Sequence, residues 1–341
     1  MSGIQDVAKR AGVSIGTVSR VLNKSGYASE ESREKVEAAV RELNYRPNQV
    51  ARNLLHKKTQ TVAMVVPEVA NPFFAQLIAA CERELRTQGY KTLICATNGH
   101  KSNEQLYLDM LSRNLVDGIL TCTHSLQTAK YQEAQGAIVS FDTIHVPGQI
   151  TRIRVDHKKG GELAARELIR CGCRKVLQFR DRKPIEHFPF IERHEVFERV
   201  MNEAGIECIN VIVKWNEFED CYLQDLVRDC YEKYPDVDGV FGTDPSIVHY
   251  MRYVMLHGIR IPQDIRFVAY DGSMVRDMAF PTLTAIKQPI NELAKRGVEA
   301  LLAKIRGEIL PEDDVILPVE FIRGMTTMTD AELAEFLADQ R

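Results

Sequence analysis

From Thr61 onward the chain repeats one pattern, a short apolar run followed by a longer amphipathic stretch. The runs are TVAMVVP, KTLICAT, DGILTCT, AIVSFD, RIRVD, KVLQFR, NVIV, GVFGTD, FVAYDG and LTAI. Between them lie segments with helical spacing, such as 73–88, 102–113, 160–171, 189–204, 246–257 and 290–306. A continuous apolar run fits a strand covered on both faces, and a crossover between parallel strands requires a helix. The alternation therefore predicts parallel sheet with helices on both sides. Ten strands exceed one comfortable sheet, so two α/β lobes are expected.

The length of 341 residues also asks for two or three units. No run approaches 18 apolar residues, so no membrane span is expected. The opening MSGIQDVAKR lacks the apolar stretch of a signal peptide, which points to the cytoplasm. The eight cysteines lack the paired spacing of a zinc site and read as reduced thiols. Charge is unevenly distributed. Residues 1–58 carry 11 Lys/Arg against 6 Asp/Glu, whereas the remainder carries 33 against 41, for a net charge of −3. A basic head on an acidic body is expected where only the head meets phosphates.

In that head, Ile4, Val7, Ala8 and Ala11 follow helical spacing, and Gly12 ends the helix. Ser14 is placed to cap a second helix whose buried stripe is Val18, Val21 and Leu22. A third helix begins after Ser29, with Glu30 and Glu31 in its first turn, and contributes Val36, Ala39, Val40 and Leu43 to a small core. Two short helices joined at a glycine turn predict a helix-turn-helix, which can present its second helix to the DNA major groove. Beyond Pro47, Val50, Ala51, Leu54 and Leu55 form an apolar face on a segment too short to be a stable helix alone.

The stretches IQDVAKRAGVSIGTVSRVLN, LNYRPNQVARNL and FFAQLIAACERELRTQGY resemble the lactose/galactose repressor (LacI/GalR) family over nearly the whole chain. Within that family, NKSGYASE, YLDMLSRNLVDGILTCTHSL, YDGS, LTAIKQPI and ILPVEFIRG look closest to sucrose-operon repressors of Gram-positive bacteria. The resemblance implies a helix-turn-helix domain over 1–46 and a hinge helix and linker over 47–60. A periplasmic-binding-protein-like core would fill 61–330, followed by a tail over 331–341. Its N-lobe would comprise 61–156 and 289–318, and its C-lobe 157–288 and 319–330. By the same resemblance Ile15, Gly16 and Arg20 face base edges. Ser14, Thr17, Ser19, Asn23, Tyr45 and Asn48 hold phosphates, and Leu54 wedges into the minor groove.

In sheets of this kind ligands sit beyond the carboxyl ends of the strands. Those ends carry Pro67 and Glu68, Asn98, Thr121 and His124, Asp142, Arg180, Thr243 and Asp244, and Asp271. Carboxylates that accept hydroxyls, an arginine that donates and aromatic faces (Phe73, Phe74, Trp215, Phe218) suit a carbohydrate. The resemblance puts Phe73, Asp142, Arg193, Thr243, Asp244 and Asp271 at effector contacts. Arg193 sits in RHEVF, where the family more often has Gly or Ala before the phenylalanine. Departures lie nearby: Thr143 where Arg is common, charges in VDHKKGG, and the aromatic insert FRDRKPIEHFPFIERH. Within that insert His187 and His194 read as two exposed rim residues.

No phosphate-binding loop, dinucleotide fingerprint, nucleophile elbow or zinc-protease motif occurs, so the chain reads as a non-enzyme without cofactor or metal. The expected partners are a double-stranded DNA operator, a small carbohydrate effector and a second copy of the chain. The tail MTDAELAEFLADQR has a capping box, Thr329 with Glu332, but is too short for a coiled coil, favouring a dimer over a tetramer. An alternative is a catabolite-control-type regulator that answers to a phosphoprotein partner.

Overall fold

The computed structural model describes residues 3–23, 25–45, 58–123, 128–181, 188–214 and 220–339. The chain divides into two compact units, Met1–Thr59 and Gln60–Arg341.

In the first unit three helices, Ile4–Ala11, Ile15–Asn23 and Glu30–Glu42, enclose a core of Val7, Ala8, Ala11, Val18, Val21, Val36 and Ala39. Gly12 takes a left-handed φ of 66°, which turns the chain between the first two helices without the steric cost a Cβ would bring. The Ser14 and Ser29 side chains accept from Thr17 N and Ser32 N, satisfying amides that open the second and third helices.

The second unit holds two six-stranded sheets. One contains β1 (Thr61–Val66), β2 (Lys91–Ala96), β3 (Gly118–Thr121), β4 (Ala137–Phe141), β5 (Ile150–Val155) and β11 (Asp314–Leu317), in the order β11-β5-β4-β3-β1-β2. The other contains β6 (Lys175–Asp181), β7 (Glu207–Val213), β8 (Gly239–Thr243), β9 (Arg266–Asp271), β10 (Thr284–Lys287) and β12 (Glu320–Ile322), in the order β12-β10-β9-β8-β6-β7. All pairings are parallel except β10 with β12. The expected fold class, a helical head followed by two parallel-sheet lobes, is the one found. All ten apolar runs form strands. β11 and β12 extend the set, each a short edge strand of three or four residues whose apolar pattern is too brief to stand out.

Burial explains the apolar runs. Every residue of β3 and β4 is buried, because helices cover both faces of the sheet, whereas the edge strands β2 and β7 are largely open. The chain passes between the sheets three times: between Val155 and His157, between Lys287 and Ile290, and between Leu317 and Glu320. One further segment breaks the separation of the lobes. Phe188, Phe190 and Ile191, which follow β6, belong to the same buried cluster as Leu111, Ile138, Ile144 and Ile150 of the first lobe. Among the described residues no helix is long and apolar enough to cross a membrane.

Candidate functional site

On the head, the helix Ile15–Asn23 buries Val18 and Val21 and turns the opposite stripe outward. Positions 16, 20 and 23 follow i, i+4, i+7, with 15 and 19 beside them. Ile15 is 46% exposed, and nothing crowds the missing side chain of Gly16. Ser14 Oγ lies 2.9 Å from Thr17 Oγ1, and Asn23 donates to Ser19 Oγ. Arg20 is folded back on its own unit, donating from Nε to Gly16 O at 3.2 Å and from Nη1 to Tyr27 O at 3.3 Å. Tyr45 packs against the small core. Asn48 and Leu54 lie outside the described residues.

Between the lobes of the core lies a cleft of about 1060 Å³ of empty space, mouth included. Of the expected effector residues, Phe73, Asp142, Arg193, Thr243 and Asp271 line it together, joined by Pro67, Phe74 and Arg180. Asp244 is not among the lining side chains. It is fully buried and accepts from Gly272 N and from both the amide and the hydroxyl of Ser273, pinning the turn after β9. Of the other strand-end residues, Glu68, Asn98 and Thr121 do not line the cleft either. Trp215, Phe218 and His124 lie outside the described residues.

The cleft is organised around two aspartates with left-handed backbones. Asp142, just past β4, has φ 54°, and Asp271, closing β9, has φ 107°. Such angles are uncommon outside glycine, although aspartate tolerates them better than most. Asp142 Oδ1 accepts from Val155 N at 3.0 Å and meets His157 Nε2 at 2.8 Å. The other nitrogen of His157 lies 2.8 Å from the Tyr270 hydroxyl, so this one imidazole ties the first lobe to the second. Asp271 Oδ1 accepts from Gln288 Nε2 at 2.8 Å. Burial, reinforced by the charge of Asp244, pushes the Asp271 carboxyl far above the usual carboxylate range. Burial raises Asp244 as well.

Arg193 is seated by packing. Its guanidinium lies 4.5 Å over the Tyr270 ring and donates from Nη2 to Asp181 Oδ2 at 3.1 Å. Its Nε donates to His194 Nε2 at 3.3 Å, which leaves His194 Nδ1 to donate to Gln178 Oε1. His194 is 2% exposed, correcting the expectation of a rim residue. Burial and the adjacent Arg193 push its pKa down to about 4, so it stays neutral. His187 lies outside the described residues. The tandem glycines of VDHKKGG make this seating possible. A Cβ on Gly160 would fall 2.8 Å from the Tyr270 hydroxyl, and one on Gly161 would fall 2.2 Å from Arg193 O.

His157, Tyr270, Asp181 and Gln288 thus belong to the site although none was singled out from the sequence. His157 and Gln288 follow β5 and β10, two strand ends left out of the sequence-based set. The second lobe also holds the tail: Thr329 N donates to Glu332 Oε2, and Glu332 N donates to Thr329 Oγ1, forming the expected capping box. Glu332 also pairs with Arg323 at 3.3 Å. Among the described residues, no group of His, Cys, Asp and Glu is placed to hold a metal ion.

A helix-turn-helix bundle followed by a two-lobed binding-protein core defines the class, a bacterial regulator built on a ligand-binding scaffold. The model of bacterial regulatory proteins of the lacI family matches residues 3–48, and that of a periplasmic binding protein-like domain matches 165–327. The chain belongs to the LacI family. The ribose operon repressor of Halalkalibacterium halodurans is 34% identical over 328 residues, covering 96% of this chain and 97% of that protein. The sucrose operon repressor of Streptococcus mutans is 35% identical over 326 residues, covering 94% and 98%. Among solved structures, a periplasmic binding protein/LacI transcriptional regulator from Alkaliphilus metalliredigens, complexed with D-xylulofuranose, matches with a TM-score of 0.71 at 28% identity. It covers 79% of this chain and 100% of that one.

Proposed function

We propose that the chain is a cytoplasmic, sequence-specific DNA-binding repressor of a carbohydrate-utilisation operon, released from a palindromic operator by a sugar or sugar phosphate bound in the cleft. The observation that carries the effector half is the convergence of Asp142, Asp271, Arg193 and Phe73 on one cavity between the lobes. Carboxylates and a guanidinium match vicinal hydroxyls, and aromatic faces cover the C–H side of a sugar ring. The relatives named for ribose and sucrose operons make those two sugars the first to test.

The DNA half rests on the outward stripe of Ile15–Asn23. Ile15 offers apolar contact, suited to a thymine methyl, and Gly16 offers no side chain. Polar readout falls on Arg20, which would leave the Gly16 and Tyr27 carbonyls to reach a guanine. Ser14, Thr17, Ser19, Asn23, Tyr45 and Asn48 would hold phosphates. Leu54, as the minor-groove wedge, would add specificity through DNA deformability. Two recognition helices for a palindrome require a homodimer. Exposed apolar side chains on both lobes support one: Leu93 and Ile94 on the edge strand β2, and Leu256, Met278 and Phe280 on the second lobe. An effector shifts the closure equilibrium only by its differential affinity for the two closure states.

Operator selection from random duplexes, followed by mobility shifts with and without sucrose and D-ribose, tests the reading. Release of the selected duplex by one of them is the expected result. A protein that selects no duplex, or whose complex no sugar or sugar phosphate disturbs, would overturn it.

A further inference from the structure

We infer that Asp117 is a positioning residue for the effector response, its carboxylate clamping the chain at the junction of the DNA-binding unit and the core. The inference rests on the repressor reading above and assigns the point at which the core grips the segment leading to the DNA-binding unit.

The two compact units meet in sequence between Thr59 and Gln60. Gln60 is pinned through both of its backbone polar groups. Its N–H donates to Asp117 Oδ2 at 2.9 Å, and its carbonyl accepts from Lys91 N at 2.8 Å. Asp117 N completes the clamp by donating to Thr61 O at 2.8 Å. Thr61, Lys91 and Gly118 open β1, β2 and β3, three neighbouring strands, so the clamp lies at the amino ends of the sheet. The cleft lies at the opposite ends, where Pro67 follows β1 directly into its lining. β1 is buried beyond its first residue and, at about 3.3 Å per residue, links cleft and junction as one stiff element of roughly 17 Å.

The second lobe supplies the comparison. Val-Asp-Gly occurs at 116–118 and again at 237–239. Asp238 N donates to the carbonyl of Lys175, the first residue of β6, as Asp117 N donates to that of Thr61, the first of β1. The Asp238 carboxylate accepts from the N–H of Arg174, one residue earlier, as that of Asp117 accepts from Gln60. The clamp is therefore part of the plan the two lobes share. What it grips differs. Arg174 follows the helix His157–Arg170 of its own lobe, whereas Gln60 follows the last residue of the DNA-binding unit. The backbone differs as well: Gln60 has a left-handed φ of 51°, and Arg174 takes no such angle. A residue with a Cβ holds that conformation only where its surroundings impose it, and here the bonds to Asp117 and Lys91 do so. Cutting the Asp117 bond frees Gln60 to rotate, so that a movement of the first lobe is absorbed at the junction instead of being passed on.

The test compares Asp117→Ala with Asp238→Ala, which removes the matching clamp where no other unit is attached. Operator affinity of the full chain is measured with and without saturating sucrose or D-ribose, and sugar affinity by calorimetry without DNA. Asp117→Ala should shrink the sugar-induced change in operator affinity about five-fold or more, while sugar affinity stays within about two-fold. Asp117→Asn, which keeps an acceptor oxygen, should retain most of the response. Asp238→Ala should respond like the parent even where it melts at a lower temperature. An unchanged response in Asp117→Ala, or an equal loss in Asp238→Ala, would overturn the assignment. Hydrogen exchange at the Gln60 amide reads the clamp without any ligand and should be about ten-fold faster in Asp117→Ala. Equal exchange in parent and variant would overturn the clamp whichever sugar is tried. A parent whose operator binding no sugar alters, with that exchange difference intact, would overturn the proposed function and leave the clamp standing.

Discussion

The two lobes follow one plan and use it differently. Reading each sheet inward from its β2 or β7 edge, the fourth strand ends in an aspartate with a left-handed backbone, Asp142 or Asp271. In both lobes the next strand ends at a chain crossing whose side chain hydrogen-bonds that aspartate at 2.8 Å, His157 in one and Gln288 in the other. The partners differ in what remains at their far end. His157 spends its second nitrogen on Tyr270 of the other lobe, closing the network. Gln288 keeps an unpaired carbonyl, and its aspartate sits above a second buried acid. A repeated scaffold has thus become a closed fastening on one side and an open acceptor on the other.

The largest test of this asymmetry lies in the segment that violates it. Phe188 belongs to the second lobe in sequence and to the first in packing, so Phe188→Ala should cost about 3 kcal/mol, read by urea denaturation. A loss under about 1 kcal/mol would mean that the segment only rests on the first lobe. His157→Ala should cost about 2 kcal/mol by stranding Asp142 and the Tyr270 hydroxyl. If it melts like the unaltered chain, the first-lobe network is no fastening.

Asp271→Asn should do the reverse. Because its folded pKa is raised from 3.8 to about 8, the stability linked to Asp271 is complete below about pH 4 and lost as pH rises toward 8. The variant should therefore melt higher than the parent at pH 8, by a few degrees, with the difference vanishing near pH 4. Equal melting at every pH would count against a buried, uncompensated acid. The smallest effect concerns His194, whose folded pKa of about 4 lies below its ordinary 6.5. Its contribution is present above pH 6.5 and is lost as pH falls toward 4. His194→Gln should flatten that acid limb in thermal melts from pH 7 to 4, at a cost of about 1 kcal/mol.

The strands were legible because most central ones, such as β1, β3, β4, β8 and β9, are buried on both faces and so read as nearly unbroken apolar runs. β11 and β12 were not, since an edge strand of three or four residues has too little burial to leave a pattern. The rule that ligands meet strand ends led to Asp142 and Asp271, and its application to β5 and β10 would also have found His157 and Gln288. It overreached at Asp244, because a strand-end carboxylate can turn inward to hold the next loop as readily as outward to a ligand. The seating of Arg193 was hidden for another reason. It depends on the contact of Gly161 with a residue more than thirty positions away, and a glycine announces what it permits only once its neighbour is known.

The three chain crossings all leave from strands at one edge of each sheet, β5, β10 and β11. Mechanically, this makes the core a lever with its fulcrum at that edge and β2 and β7 at the free ends. With neighbouring strands roughly 4.8 Å apart, β2 stands about 24 Å from β11, so a rotation of about 10° at the crossings would move it by about 4 Å. A bound sugar near the fulcrum would need to shift its contacts only slightly to displace Leu93 and Ile94 by the diameter of an atom. The gain of the device is set by the number of strands, before any side chain is chosen.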